Sequence, residues 1–344
     1  MENKPVLTFF CELPAAEVAS LFQDRFVLDD LKTLNACVAL GILDLSDERA
    51  EVVRKMNLLK VPAVAWLLLP KEEGYWFNLE NYPQAIARYE DFKAWSLQHH
   101  LSWAGIGLDI EPDFNQMEAF YAHKPSVLVE AARRLADHQA FDQAVLAYTG
   151  LVNQIHADGY NVEAYHIPQI TDDRRAGANV LQRVAGLVDV PVDREVLMLY
   201  SSFSRPRGQA LLAEYAKEAD AVGIGNTGGG VQIDGWDEAP YLSWEEFSTD
   251  LRLAWKTGKP IHVFSLEGCV RQGFLGRLIT FDWNGPVDTV RQKGAVRAQR
   301  AGLQALLWTV QRPLVAAGGA LALLAGLLLR HHQVRRRKRQ YGQK

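Results

Sequence analysis

Eight short apolar runs, most of them separated by helical stretches, constrain this 344-residue chain more than any other feature. They are Val6–Glu12, Cys37–Asp44, Pro62–Leu69, Ile106–Glu111, Asn161–His166, Val196–Ser202, Ala221–Asn226 and Pro260–Glu267. Several are almost continuously apolar, as strands covered on both faces are. Helical patterns lie between them at Pro83–His99, Val127–Ala136 and Trp244–Thr257. Ser126, with Glu130 in the first turn, reads as a helix cap, and Ser243-x-x-Glu246 fits a capping box. Eight strands alternating with helices over about 280 residues match the size and order of an α/β fold of the (β/α)8 TIM-barrel type. The rival is a doubly wound open sheet. It would place a glycine-rich turn after the first strand, and none follows Val6–Glu12.

In a barrel of this kind chemistry sits at the C-terminal ends of the strands. Polar residues follow nearly every run here: Glu12, Asp44, Lys71-Glu72-Glu73, Asp109 with Glu111, Tyr165-His166-Gln169, Tyr200-Ser201-Ser202, Asn226 and Glu267. Strand ends that merely meet solvent would also be polar. The run Trp103–Asp113 is the most distinctive of the eight. In a strand, Asp109 and Glu111 point to the same side, and Pro112 stops the ladder. Two carboxylates on one side of a buried strand end are costly unless they are used or paired.

Composition narrows the function classes. Hydrophobic residues make up 48% and charged residues 23%, an ordinary globular balance. Residues 330–344 hold seven Lys/Arg and no acid, which leaves the body with 30 basic against 41 acidic groups. An acidic body argues against nucleic-acid binding. Cys11, Cys37 and Cys269 form no C-x-x-C spacing, and the nine histidines include no H-E-x-x-H. No metal and no other cofactor is expected.

The fourth run resembles the strand motif of family 18 glycoside hydrolases, the chitinase-like barrels, written D-G-x-D-x-D-x-E. Laid on that pattern, the segment from Ala104 to Glu111 matches at Gly105, Asp109 and Glu111, while Ala104 and Gly107 stand where the family has aspartates. Met198-Leu199-Tyr200-Ser201 resembles the family's M-x-Y-D, with Ser201 in place of the aspartate, and Phe264 stands where a floor tryptophan is usual. The resemblance spans the barrel, about residues 5–312. It implies a glycosidase acting on an N-acetylated or related glycan, in which the substrate's own acetamido group attacks. Glu111 would be the general acid, Asp109 would raise its pKa and orient the acetamide, and Tyr200 would hydrogen-bond that group. The missing carboxylates equally suit a catalytically silent carbohydrate-binding barrel.

Other residues stay open. Glu111 could pair with Glu267 in a two-carboxylate hydrolase, retaining at about 5 Å separation and inverting at about 6.5–9.5 Å. Glu267 could instead form an ion pair with Arg271 or Arg277. Glu12, Tyr165 and Asn226 are further candidates for substrate contact, and His166 could be either a contact or a satisfied buried histidine. Trp66 reads as core. Leu69–Asn81 carries Tyr75-Trp76-Phe77, read as an exposed aromatic cluster, and Asn226–Gly235 reads as a flexible glycine-rich rim loop.

Pro313–Leu329 contains no charge over 17 residues. As a helix it spans roughly 25 Å, the short end for a bilayer. The basic cluster from Arg330 to Arg339 fits a cytoplasmic flank. The expected organisation is therefore a barrel over 1–312, a transmembrane helix over 313–329 and a basic tail over 330–344, with single-pass membrane localisation. Met1-Glu2-Asn3-Lys4 leads straight into the first run, which leaves the side of the membrane open. A core helix, an oligomer-interface helix and a helix lying in the membrane interface are the alternatives to a span.

Overall fold

The structure, a computed structural model, describes residues 4–235, 240–287 and 290–317. Eight strands form a closed parallel barrel in chain order. They are β1 (Leu7–Cys11), β2 (Cys37–Ile42), β3 (Ala63–Leu67), β4 (Gly105–Asp109), β5 (Val162–His166), β6 (Arg194–Met198), β7 (Ala221–Gly225) and β8 (Ile261–Phe264). Each overlaps one of the eight apolar runs. Closure is by β8 against β1, with Leu7 beside Ile261 and Phe10 beside Phe264.

The strands obey a period of two. Ile106, Leu108 and Ile110 of the β4 segment point outward into the layer beneath the helices, together with Phe9, Leu40 and Leu67. Each such side chain is fully buried, which stabilises the fold by about 1.5–3 kcal/mol. The alternate residues Phe10, Ala39, Val64, Trp66, Tyr165, Val196 and Ala221 fill the barrel interior. Registering β4 by its apolar residues therefore forces Gly105, Gly107 and Asp109 inward.

The barrel floor is polar. Glu163 accepts hydrogen bonds from Arg194 Nη1 at 2.6 Å and from His262 Nε2 at 3.2 Å. Outside the strands, the capping box of Ser243 and Glu246 is formed at the start of helix Trp244–Trp255. Ser126 is not a cap: it is the first residue of helix Ser126–Ala136, and Pro125 occupies the cap position.

The C-terminal expectation is corrected. Helix Lys293–Gln311 packs on the barrel through Arg300, which pairs with Asp172 at 2.9 Å and Glu218 at 2.7 Å. The chain breaks from helix at Arg312, whose guanidinium donates to the carbonyls of Ala176 and Gly177. Among the described residues no helix is long and apolar enough to cross a membrane, which contradicts the single-pass membrane localisation and leaves the membrane partner without support. Of the run 313–329 only 313–317 are described, as one helical turn, and the basic tail lies outside the described residues.

Candidate active site

The carboxylate pair is held by a ladder that outlasts the strand. Phe77, in the segment after β3, bridges Ile110 in parallel. Its N–H donates to the Asp109 carbonyl at 2.8 Å, and its own carbonyl accepts from Glu111 N at 3.1 Å. Glu111 is thereby fixed two residues beyond Asp109 on the same inward side. Asp113 then caps helix Phe114–Tyr121, accepting from Gln116 N at 3.1 Å. That helix carries Met117 and Tyr121 over the mouth of the barrel.

A cavity of about 310 Å³ opens at the C-terminal end of the strands. Asp109, Glu111, Glu12, Tyr165, Tyr200 and Asn226 all line it. Six of the seven residues singled out in the sequence are thus brought together. The seventh, Glu267, is only 3% exposed and sits beneath Gly229, where a Cβ would fall 2.2 Å from its Oε1. Neither arginine proposed as its partner forms an ion pair with it. Arg277 instead stacks over Trp244 at 3.8 Å, while the Arg271 charge acts only to lower the Glu267 carboxyl slightly against burial. Glu267 Oε1 accepts from Glu12 N at 3.4 Å, so it supports the loop that carries Glu12.

Burial dominates the electrostatics. Desolvation raises Glu111 to about 7, offset in part by its hydrogen bond with Asp109. Asp109 is pushed well above the usual carboxylate range by burial, then by the charges of Glu111 and Glu12. Its Oδ2 accepts from the Trp66 indole at 2.9 Å, while its Oδ1 receives no donor. The neighbouring Glu111 carboxyl is the group able to share a proton with it, so the two titrate as a pair. Glu12 is raised to about 8 by burial, with Glu267 and Glu111 adding to the rise and the Tyr75 hydroxyl, which donates to Oε1, opposing it. Tyr200 is driven further into its protonated form by burial and by the charges of Glu111, Asp109 and Glu12.

The missing carboxylates have physical replacements. A Cβ on Gly107 would lie 2.3 Å from the Tyr165 hydroxyl and 2.7 Å from Cζ. The Tyr165 phenol therefore fills the space that a side chain at position 107 would need. Its hydroxyl turns toward the floor and donates to Glu163 at 3.4 Å. Ser201, where the resembled motif has aspartate, donates to Asp250 of helix Trp244–Trp255 and does not line the cavity. Phe264 occupies the floor and stacks on Tyr200, ring centroids 5.4 Å apart.

Two expectations change. Trp66 is buried, yet it also lines the cavity and donates to Asp109, so it is more than core. Tyr75, Trp76 and Phe77 are buried rather than exposed. Tyr75 and Trp76 pack against each other and against Phe114. The glycine-rich loop forms part of the wall through Gly229, Gly230, Val231 and Ile233. His166 faces away from the cavity and meets Glu195 at 2.8 Å. With Asp189 these two form the one group with metal-ligand spacing among the described residues. Arg174 already pairs with Asp189 at 2.5 Å and with Glu195 at 2.5 Å there, supplying the positive charge.

No protein-family model and no curated protein sequence matches the chain. Solved structures do. A PgaB (BpsB) glycoside hydrolase domain from Bordetella bronchiseptica aligns at 10% identity and a TM-score of 0.47, covering 80% of this chain and 98% of that one. A class V chitinase from Pseudomonas fluorescens Pf-5 aligns at 14% identity and 0.46, covering 80% and 98%. A xylose isomerase-like TIM-barrel protein from Mycobacterium smegmatis, in complex with magnesium, aligns at 13% and 0.44, covering 80% and 96%. The structural neighbours thus include glycoside hydrolase domains alongside isomerase-like barrels and epimerases.

Proposed function

We propose that this protein is a glycosidase acting on an N-acetylated or related glycan, with Glu111 as general acid. The observation that carries this reading is the Asp109–Glu111 pair, set in an aromatic-lined cavity at the C-terminal barrel face. Glu111, titrating at about 7, keeps a proton available near neutrality, as a general acid requires. It donates that proton to the departing glycosidic oxygen. The acetamido oxygen of the substrate attacks the anomeric carbon as the glycosidic bond breaks, and Asp109, which carries the pair's negative charge while the shared proton sits on Glu111, stabilises the positive charge on the cyclised group. Tyr200, held protonated, donates to the acetamido oxygen. Water then opens the cyclic intermediate, and Glu111 takes up the proton that water releases.

Substrate assistance is favoured over a protein nucleophile by the other carboxyls. Glu12 is mostly protonated at neutral pH, and Glu267 lies under Gly229 outside the cavity lining. Neither offers an ionised carboxylate across from Glu111.

A silent carbohydrate-binding barrel is the second reading. It is favoured by Tyr165 filling the notch at Gly107 and by the engagement of Ser201 with Asp250. Glu111→Gln separates the two. Under the first reading it abolishes product release and keeps glycan binding. Under the second, wild type and variant bind alike and neither releases product.

A further inference from the structure

We propose that the cavity selects a sugar unit carrying a free, protonated amine over neutral and anionic sugars; this rests on the glycosidase reading of the same site. The charge inventory is one-sided. Glu12, Asp109 and Glu111 line the cavity, and none of the described lining residues is Lys, Arg or His. A uronate or a phosphorylated sugar would bring a desolvated anion against these three groups without a counter-charge.

The hydrogen-bonding inventory points the same way. An ammonium has three donors and no acceptor. The cavity supplies acceptors: Asp109 is 2% exposed, and its Oδ1 receives no donor. Glu12 accepts from the Tyr75 hydroxyl on Oε1 and from the Val231 backbone N–H, and its Oε2 stands beside Gly230, 3.4 Å from where a Cβ there would fall. An ionised carboxylate offers about four lone-pair sites, so this cavity-lining group keeps acceptor capacity for an ammonium. The walls include Trp66, Trp76, Tyr200 and Phe264, and aromatic faces attract cations within about 6 Å of the ring centroid.

Among the described residues no uncommitted cation stands beside Glu12. Around it stand Tyr75, Glu267, Glu111 and Cys11. Arg49, the nearby guanidinium, is committed to Asp44 at 2.8 Å and to the carbonyls of Gly41 and Leu13. Without ligand, burial and mutual repulsion keep protons on these carboxyls. An ammonium seated beside Glu12 offsets both effects there, favours the ionised form of Glu12 and releases its proton to buffer, while Glu111 keeps the proton it donates.

The test is calorimetry on the full chain at neutral pH with a glucosamine tetramer and an N-acetylglucosamine tetramer. Each is titrated in two buffers of different ionisation enthalpy. The expected result is binding of the amine-bearing tetramer at least about tenfold tighter, with net proton release. Glu12→Gln, which keeps the acceptor for Tyr75, is expected to shrink both the preference and the release. Equal or weaker binding of the amine-bearing tetramer, or no proton release, overturns the inference. If the acetylated tetramer is bound and cleaved without such a preference, the glycosidase reading survives alone. If neither tetramer binds, both fall together.

Discussion

Gly107→Ala tests the packing at the heart of the site. The new methyl would meet the Tyr165 hydroxyl at 2.3 Å, Cζ at 2.7 Å and Cε2 at 2.8 Å. The ring has little room to retreat, because Phe10 packs edge-on against it at 4.8 Å and Trp66 at 6.2 Å. Overpacking in a tight core costs about 1–3 kcal/mol, and three sub-contact distances on a fixed ring place this change near the upper end. At about 2–4 °C per kcal/mol for a large domain, the melting midpoint should fall by about 6–12 °C. Tyr165→Phe removes the nearest of the three atoms, so the double variant should recover part of the loss. The assay is thermal unfolding of all four members of that double-mutant cycle. A Gly107→Ala midpoint within about 1 °C of wild type, or strictly additive effects, would refute the claim that Tyr165 occupies the notch.

Further predictions concern the carboxyls and the loop. Under the proposed function kcat/KM should decline as pH rises through about 7, where the Asp109–Glu111 pair loses the proton that Glu111 donates; a profile flat to pH 9 would remove Glu111 as the acid. Glu12 is raised from 4.5 to about 8 in the folded state, so the folded chain holds that proton more tightly than the unfolded one. Stability should therefore fall as pH climbs from 4.5 through 8, by a few kcal/mol, since each pH step between those two values removes about 1.4 kcal/mol. Glu12→Gln should flatten that decline, and parallel curves of melting midpoint against pH would contradict it. Gly229→Ala places a Cβ 2.2 Å from Glu267 Oε1 at a φ of +93°, so the loop must move; glycan binding should weaken more than overall stability, read by calorimetry beside unfolding.

Much of the fold is legible in the sequence because the barrel strands are buried on both faces. Runs such as Cys37–Asp44 announce themselves by continuous apolarity, and most strand ends follow within about two residues, the exceptions being β6, which stops at Met198, and β8, which stops at Phe264. The Asp109–Glu111 pair is legible because period two and Pro112 fix its direction. What stays hidden depends on contacts distant in sequence. Trp66 meets Asp109 across 43 positions, and Tyr75 meets Glu12 across 63. Nothing local marks either pair, so a cavity wall reads as core and a buried aromatic cluster reads as exposed. Gly107 reads only as a missing carboxylate; that Tyr165 fills its place needs the register of β4 against β5. The apolar run after Arg312 has the composition of a membrane span, and composition alone does not register the break at Arg312 or the docking of the preceding helix.

The most direct measurement is product release from a panel of N-acetylated and partly de-N-acetylated oligosaccharides, wild type beside Glu111→Gln. The account predicts cleavage by wild type, retained binding with turnover at least about a hundredfold lower in the variant, and a lead for glycans that carry a free amine. Cleavage at the same rate by both proteins would contradict the role given to Glu111. Binding without cleavage by either would make this a carbohydrate-binding barrel rather than an enzyme.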